Sequence, residues 1–219
     1  MNIVQWRFSV LVAAGAILCA GLLPNLAAAG EMDDFARPGA YVGLGGTYAF
    51  HWFAGQSFDR NLGGQGVQVI SSGSGGLNAR AGYRVYPWFA AEVEYEWIDG
   101  FSNKIRGSNV ATLTSHQLTV NGKFIYSDWG RFQPYGLLGV GLSIWEASDR
   151  LGSGSGLDAT SVGLAGRVGL GLDAYVNENL LVNLGLDMAL STTRIDNSIG
   201  GALKNLFYIP IQFGVQYRF

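Results

Sequence analysis

The chain has 219 residues, of which 33 are glycine, 48% are hydrophobic and only 14% are charged. A formal net charge of −2 gives no electrostatic case for nucleic acid as a partner. Mean hydropathy is +0.19, yet beyond residue 30 no unbroken apolar run approaches the roughly 18 residues of a membrane helix, which excludes a helical membrane protein.

Arg7 is the only charge before Glu31, and an apolar run from Phe8 to Leu23 follows it. Ala27, Ala28 and Ala29 then precede Gly30 and Glu31, the small-residue pattern of a cleavage site. Residues 1–29 are read as a cleaved secretory signal peptide. The alternative is an uncleaved anchor, for which the run is short and its far flank small and acidic. Cys19, the only cysteine, follows Leu18 rather than the small residue a lipoprotein signal requires, so lipidation is not expected. Cleavage removes Arg7 and Cys19, leaving 13 basic residues against 16 acidic and no thiol for disulfide or nucleophilic chemistry.

Residues 30–39 form a polar, periplasmic lead-in ending at Pro38-Gly39, and 40–219 read as eight alternating segments. Successive strand side chains point to opposite faces, so each segment divides into two rows. The first, about 40–50, sets Val42, Leu44, Tyr48 and Phe50 outward and Gly43, Gly45 and Thr47 inward. The second, about 77–86, sets Leu77, Ala79, Ala81, Tyr83 and Val85 outward, with Arg80 and Arg84 in the inner row. After a turn at Pro87-Trp88-Phe89, the third (about 90–98) alternates Ala91, Val93, Tyr95 and Trp97 with Glu92, Glu94 and Glu96. The fourth, about 113–126, sets Leu118, Val120, Phe124 and Tyr126 against Gln117, Thr119, Asn121 and Lys123.

The fifth segment, about 132–146, sets Leu138, Val140, Leu142 and Ile144 over Gly139, Gly141 and Ser143. The sixth, about 160–176, turns Arg167 and Asp173 inward, and the seventh, about 180–193, does the same with Asn183 and Asp187. The eighth, 207–219, has the clearest pattern. Phe207, Ile209, Ile211, Phe213, Val215, Tyr217 and Phe219 share one face. Tyr208, Pro210, Gln212, Gly214, Gln216 and Arg218 share the other. Pro210 removes a ladder donor, and a bulge near the outer rim is expected there.

Segments with one apolar and one polar face suit strands between lipid and a polar lumen, and a sheet this long with open edges would aggregate. The reading is an all-β, eight-stranded antiparallel transmembrane β-barrel. Connections alternate long and short, giving short periplasmic turns and four longer extracellular loops, at 51–76, 99–112, 147–159 and 194–205. Aromatic girdles are expected from Trp88, Phe89, Tyr126, Trp129, Phe132, Tyr175 and Phe219 at the periplasmic interface. Tyr48, Phe50, Trp52, Trp97, Trp145 and Phe207 would form the outer one.

The inner rows carry Arg80, Arg84, Lys123, Arg167 and Arg218 against Glu92, Glu94, Glu96, Asp173 and Asp187, five charges of each sign. A three-residue turn at 87–89 would set Tyr86 opposite Ala90, Arg84 opposite Glu92 and Arg80 opposite Glu96, pairing charges across the ladder. These residues either seal a lumen only just wide enough for its side chains or line a narrow ion pathway. The inner glycines (Gly43, Gly45, Gly139, Gly141, Gly169, Gly171, Gly185) either leave room for water or make space for large side chains opposite.

Other features carry less. His51 and His116 match no metal-ligand spacing, so no metal or other cofactor is expected. His51, Ser57 and Asp59 share one polar loop, but a hydrolase triad needs geometry that composition does not supply. Gly43-Leu44-Gly45-Gly46 and Gly139-Val140-Gly141 precede no helix and are lumen-facing strand glycines rather than phosphate loops.

The hairpin Gly82-Tyr83-Arg84-Val85-Tyr86-Pro87-Trp88-Phe89-Ala90-Ala91-Glu92-Val93-Glu94-Tyr95 resembles that of the OmpA-like and opacity-protein superfamily of eight-stranded outer-membrane barrels. The resemblance covers about 40–219. It implies an outer-membrane location in a Gram-negative bacterium, surrounded by lipid and lipopolysaccharide. It also implies that Gln212, Gly214, Tyr217 and Phe219 form the terminal signal read by the barrel-assembly machinery, after delivery by periplasmic chaperones. Members are structural proteins, adhesins, surface-recognition proteins or small porins. A non-enzymatic barrel with a plugged lumen, meeting any extracellular ligand through its loops, is the expectation. A narrow passive channel and a lipid A-modifying enzyme are the alternatives.

Overall fold

The computed structural model describes residues 34–51, 70–71, 73–105, 108–149, 159–196 and 202–219, and in it the alternating segments become one closed sheet. A single 3-10 turn, Asp34–Ala36, precedes β1 (Gly39–His51). Then follow β2 (Ile70–Ser71), β3 (Ser74–Tyr86), β4 (Phe89–Ile105), β5 (Ser108–Ile125) and β6 (Phe132–Asp149). The chain closes with β7 (Ala159–Tyr175), β8 (Leu180–Asp196) and β9 (Ala202–Arg218).

Each long strand pairs antiparallel with its neighbours. The order β4-β3-β1-β9-β8-β7-β6-β5 returns to β4 through the β4–β5 ladder, so the barrel has no free lateral edge. The two-residue β2 continues the stave of β3, because Ser71↔Asn103 and Gly76↔Ile98 keep one register along β4. The closing ladder runs from Tyr41↔Arg218 to His51↔Tyr208. No helix among the described residues is long and apolar enough to cross a membrane, and the crossing falls to the strands.

The radial distribution is the inverse of a soluble protein. Leu44, Val140 and Leu170 are 72%, 68% and 70% exposed, whereas Glu94, Lys123 and Arg167 are 1%, 2% and 2% exposed. Apolar exposure around a whole girth is tolerable only against lipid. The periplasmic rim carries aromatics in contact: Trp88 on Tyr86 and Phe89, and Tyr126 on Trp129. Tyr175 and Trp145 do not belong to the girdles as expected. They keep the parity of Asp173 and Ser143, and both are buried inside the barrel. Trp52 lies outside the described residues.

The strands also reach further than the alternation indicates. At about 3.3 Å per residue the 17-residue strands are roughly 56 Å long, while a membrane-crossing stave needs about 9–11 residues. The excess consumes most of the expected loops at 99–112 and 194–205. The alternation stops short of these ends because polar residues, such as Ser102, Asn103 and Lys104, enter both rows of the sequence while the ladder continues. The register also shifts between Ile98 and Phe101, where Gly100 takes a positive φ of 86°. The expected bulge at Pro210 is absent: Pro210 pairs in register with Ala49. The β8–β9 ladder instead passes from Leu186↔Ile211 to Ala189↔Tyr208 in constant register, which places the lost donor on the β8 side.

Of the inner glycines, Gly43, Gly139, Gly169 and Gly171 make space for side chains opposite them, whereas Gly45 and Gly141 lie against backbone carbonyls of the neighbouring strand. A Cβ on Gly171 would enter the Tyr135 ring, and one on Gly169 or Gly139 would enter the carboxyl of Asp187 or the amide of Asn121. Gly166, on the lipid face, has only Leu190 Cβ at 4.0 Å. Gly171→Val is therefore expected to cost about 1–3 kcal/mol through overpacking and to lower the fraction of refolded barrel on a cold gel-shift assay. Gly166→Val should refold like the parent; equal yields for the two variants would contradict this packing.

Candidate functional site

The inner rows converge on one polar network that reaches across the bore. At its centre Arg167, from β7, reaches across to β4. Nη1 lies 2.5 Å from Glu94 Oε1, Nη2 lies 2.8 Å from Glu96 Oε1, and Asp187 of β8 stands 3.4 Å away. Gln212 of β9 donates to Glu94 at 2.6 Å and to Glu96 at 2.9 Å, and the Tyr208 hydroxyl donates to Glu96 at 2.7 Å. Arg80 donates to Gln212 Oε1 at 2.7 Å and lies 3.8 Å from Glu94. Charge-assisted bonds of this kind are the strong ones, and the planar guanidinium suits two carboxylates at once.

Below this centre, Lys123 of β5 pairs with Asp173 of β7 at 2.6 Å and lies over the Tyr135 ring at 3.9 Å. Asn183 donates to both Tyr135 and Asp173 at 2.8 Å. Glu92 accepts from the Tyr41 hydroxyl at 2.8 Å and from Asn121 at 3.2 Å. Above the centre lies a cluster of buried hydroxyls, with Ser143 Oγ 2.5 Å from Ser191 and 3.0 Å from Thr193. Trp145 meets Tyr208 edge-on at 6.1 Å.

The periplasmic end is closed differently. The Phe35 carbonyl accepts from Arg218 at 2.7 Å, Arg84 at 3.0 Å and Gln133 at 3.3 Å, and the Phe35 ring tilts against Tyr175 at 5.4 Å. Arg84 also donates to Gln133 at 2.8 Å, Tyr175 at 3.1 Å and the Pro87 carbonyl. Arg218 donates further to the Glu178 carbonyl at 2.7 Å. The lead-in thus folds under the barrel and is gathered by β3, β6 and β9. Sequence reasoning missed this, because the interaction uses a backbone carbonyl that no side-chain pattern announces.

All ten charged residues named from the sequence lie in this interior. Their pairing differs from the expected one. The β3–β4 turn has two residues, not three, with a register shift between Arg84 and Tyr86. Tyr86 therefore faces Phe89, Arg84 faces Ala90, Arg80 faces Glu94, and Glu96 faces Asn78. Arg84 consequently meets carbonyls, an amide and a phenol in place of Glu92. The main partner of Glu94 and Glu96 is Arg167, from the opposite wall. Of the terminal residues, Gln212 joins the network, while Tyr217 and Phe219 face outward in edge contact at 5.2 Å. Gly214 packs against Gly45 of β1. His116 lies in the outer row, with Nδ1 2.8 Å from the Tyr95 hydroxyl. The His51 side chain, Ser57 and Asp59 lie outside the described residues, as does the bulk of the 51–76 loop.

Removing Arg167 leaves Glu94 and Glu96 buried without their main cation, a loss of about 3–5 kcal/mol for a buried pair. Arg167→Met should show this as a lowered urea midpoint. Adding Glu94→Gln and Glu96→Gln to Arg167→Met should recover most of it. A triple variant no better than Arg167→Met alone would contradict the pairing.

The family model of the outer membrane protein beta-barrel domain matches residues 15–219. Among solved structures, Neisserial surface protein A superposes with a TM-score of 0.57 at 19% identity, covering 84% of this chain and 99% of that one. Ail, the attachment invasion locus protein of Yersinia pestis, solved with the heparin analogue sucrose octasulfate, gives 0.51 at 14% identity, covering 84% and 99%. No curated protein sequence gives a match.

Proposed function

The chain belongs to the outer membrane protein beta-barrel family and resides in the outer membrane, and from that premise we propose that it is a non-conducting, non-enzymatic barrel whose extracellular loops carry surface recognition or adhesion. The observation that carries the first half is the filled bore: Arg167, Glu94, Glu96, Gln212 and Arg80 bond across the full width at mid-height. An eight-stranded barrel has no cross-section to spare beside such a network. The non-enzymatic reading is supported by the buried hydroxyls, since Ser143, Ser191 and Thr193 bond one another rather than a base. Recognition falls to the loops because specificity on a rigid scaffold usually does. A protein of the same fold in Yersinia pestis is named for attachment and invasion, which is the kind of role proposed here.

Lipopolysaccharide is the proposed surrounding lipid, and the barrel-assembly machinery, reading Gln212, Gly214, Tyr217 and Phe219, is the proposed partner in biogenesis. In planar bilayers the refolded protein should give no steps above leak. A steady ohmic conductance would sink the sealed-bore reading in favour of a narrow channel. Deleting 53–69 should leave insertion intact and reduce attachment of expressing cells to a surface or host-cell layer; attachment unchanged by the deletion would remove this loop from the account. The mass spectrum of lipid A should be the same with and without the protein.

A further inference from the structure

We propose that residues 34–38 form a periplasmic lid, which docks only on the closed barrel and lifts without unfolding it. The Phe35 carbonyl accepts from Arg218 of β9, Arg84 of β3 and Gln133 of β6, and the Arg37 carbonyl accepts from Arg218 at 3.4 Å. β3 and β9 flank β1 on its two sides, at Gly39↔Arg84 and Tyr41↔Arg218. Without the β1–β9 ladder, β1 and β9 are the two outer edges of one sheet, and Arg218 is out of reach of Phe35. The bonds of the lid are therefore complete only after that ladder has formed.

The lid is tied more weakly than the centre of the bore. One carbonyl oxygen, with two lone pairs, serves three donors. At mid-height Arg167 meets two carboxylates instead, so both partners of each bond are charged. Lifting the lid also strands no cation. Arg84 keeps Gln133, the Tyr175 hydroxyl and the Pro87 carbonyl, and Arg218 keeps the Tyr175 hydroxyl and the Glu178 carbonyl. The apolar hold comes from Ala36, which is buried, and from the Phe35 ring, 5.4 Å from that of Tyr175. A segment tied so lightly opens locally at less cost than the whole barrel. Beside its donors, Tyr41, Ile125 and Leu181 border the lower bore with Arg84, Tyr175 and Arg218. Opening therefore gives the periplasm access to this lower part, while the Arg167 bonds above stay in place.

Thiol labelling of the membrane-inserted chain, in a Cys19→Ser background, tests this. Ala36→Cys should label roughly tenfold or more slower than Ser127→Cys in the periplasmic turn, yet roughly tenfold or more faster than Thr119→Cys at mid-height. Two variants release the lid without altering a strand. Ala36→Lys sets a cation near Arg84 and Arg218, and Phe35→Gly removes the ring that meets Tyr175. Each should keep the cold gel shift of a folded barrel. Leu181→Cys, at a position 3% exposed, should label roughly tenfold faster when either is added. A cysteine at 36 that labels as slowly as the one at 119 would overturn the proposal, because the segment would not lift. One that labels as fast as the cysteine at 127 would overturn it as well, because the segment would not be docked. Labelling at 181 unchanged by both variants, or a folded gel shift lost in both, would equally contradict a lid that lifts from an intact barrel.

Discussion

The structure depends on one constraint: charges enclosed by eight strands have almost no water to solvate them, so they must be answered by one another. Taking an ion out of water costs several kcal/mol even after relaxation, and only close, well-bonded partners offset that. Arg167 meets the constraint across the bore, binding two carboxylates of β4 and standing near a third on β8. Gln212, Tyr208, Asn121 and Asn183 supply neutral donors that saturate carboxylate oxygens the cations do not reach. The result joins opposite walls of the cylinder, so the interior braces the sheet.

The same constraint explains why the two ends differ. At mid-height the carboxylates outnumber the nearby cations and are saturated by amides and phenols. At the periplasmic end Arg84 and Arg218 gather carbonyl oxygens, above all that of Phe35. The bonds at this end therefore tie the residues before β1 to the strands. The hairpins here are short and aromatic, whereas the extracellular ends continue as ladder well past the length a bilayer requires.

Much of this was legible in the sequence because alternation has a fixed period of two, so one row of leucines and valines identifies the other row as the interior. Parity placed every one of the ten charged residues. It did not give register: the turn at Pro87-Trp88 has two residues instead of three and the ladder shifts by one more between Arg84 and Tyr86, and together these offset the opposing pairs by two positions while leaving the alternation unchanged. Tyr175 and Trp145 are aromatics near strand ends, as girdle residues are, but Asp173 and Ser143 fix their parity inward. Strand ends are not legible where polar residues enter both rows of the sequence. The partnership of Arg167 with β4 spans the bore and has no local signature at all. The closure by Phe35 rests on a main-chain atom, which sequence patterns do not mark.

The central claim is that the bore is sealed by these bonds at mid-height, and cysteine accessibility tests it most directly. The only native cysteine is Cys19, far in sequence from the strands, and a Cys19→Ser background makes single cysteines unambiguous. Thr119 is 1% exposed beside Asn121 and Glu94, and Thr119→Cys is a small change there; Ser127→Cys in the periplasmic turn is the control. In membrane-inserted barrel, a small charged thiol reagent should modify the cysteine at 127 readily and leave the one at 119 unmodified from either side. Modification at 119 at a rate comparable to that at 127 would mean that water and ions reach the centre, and would contradict the account.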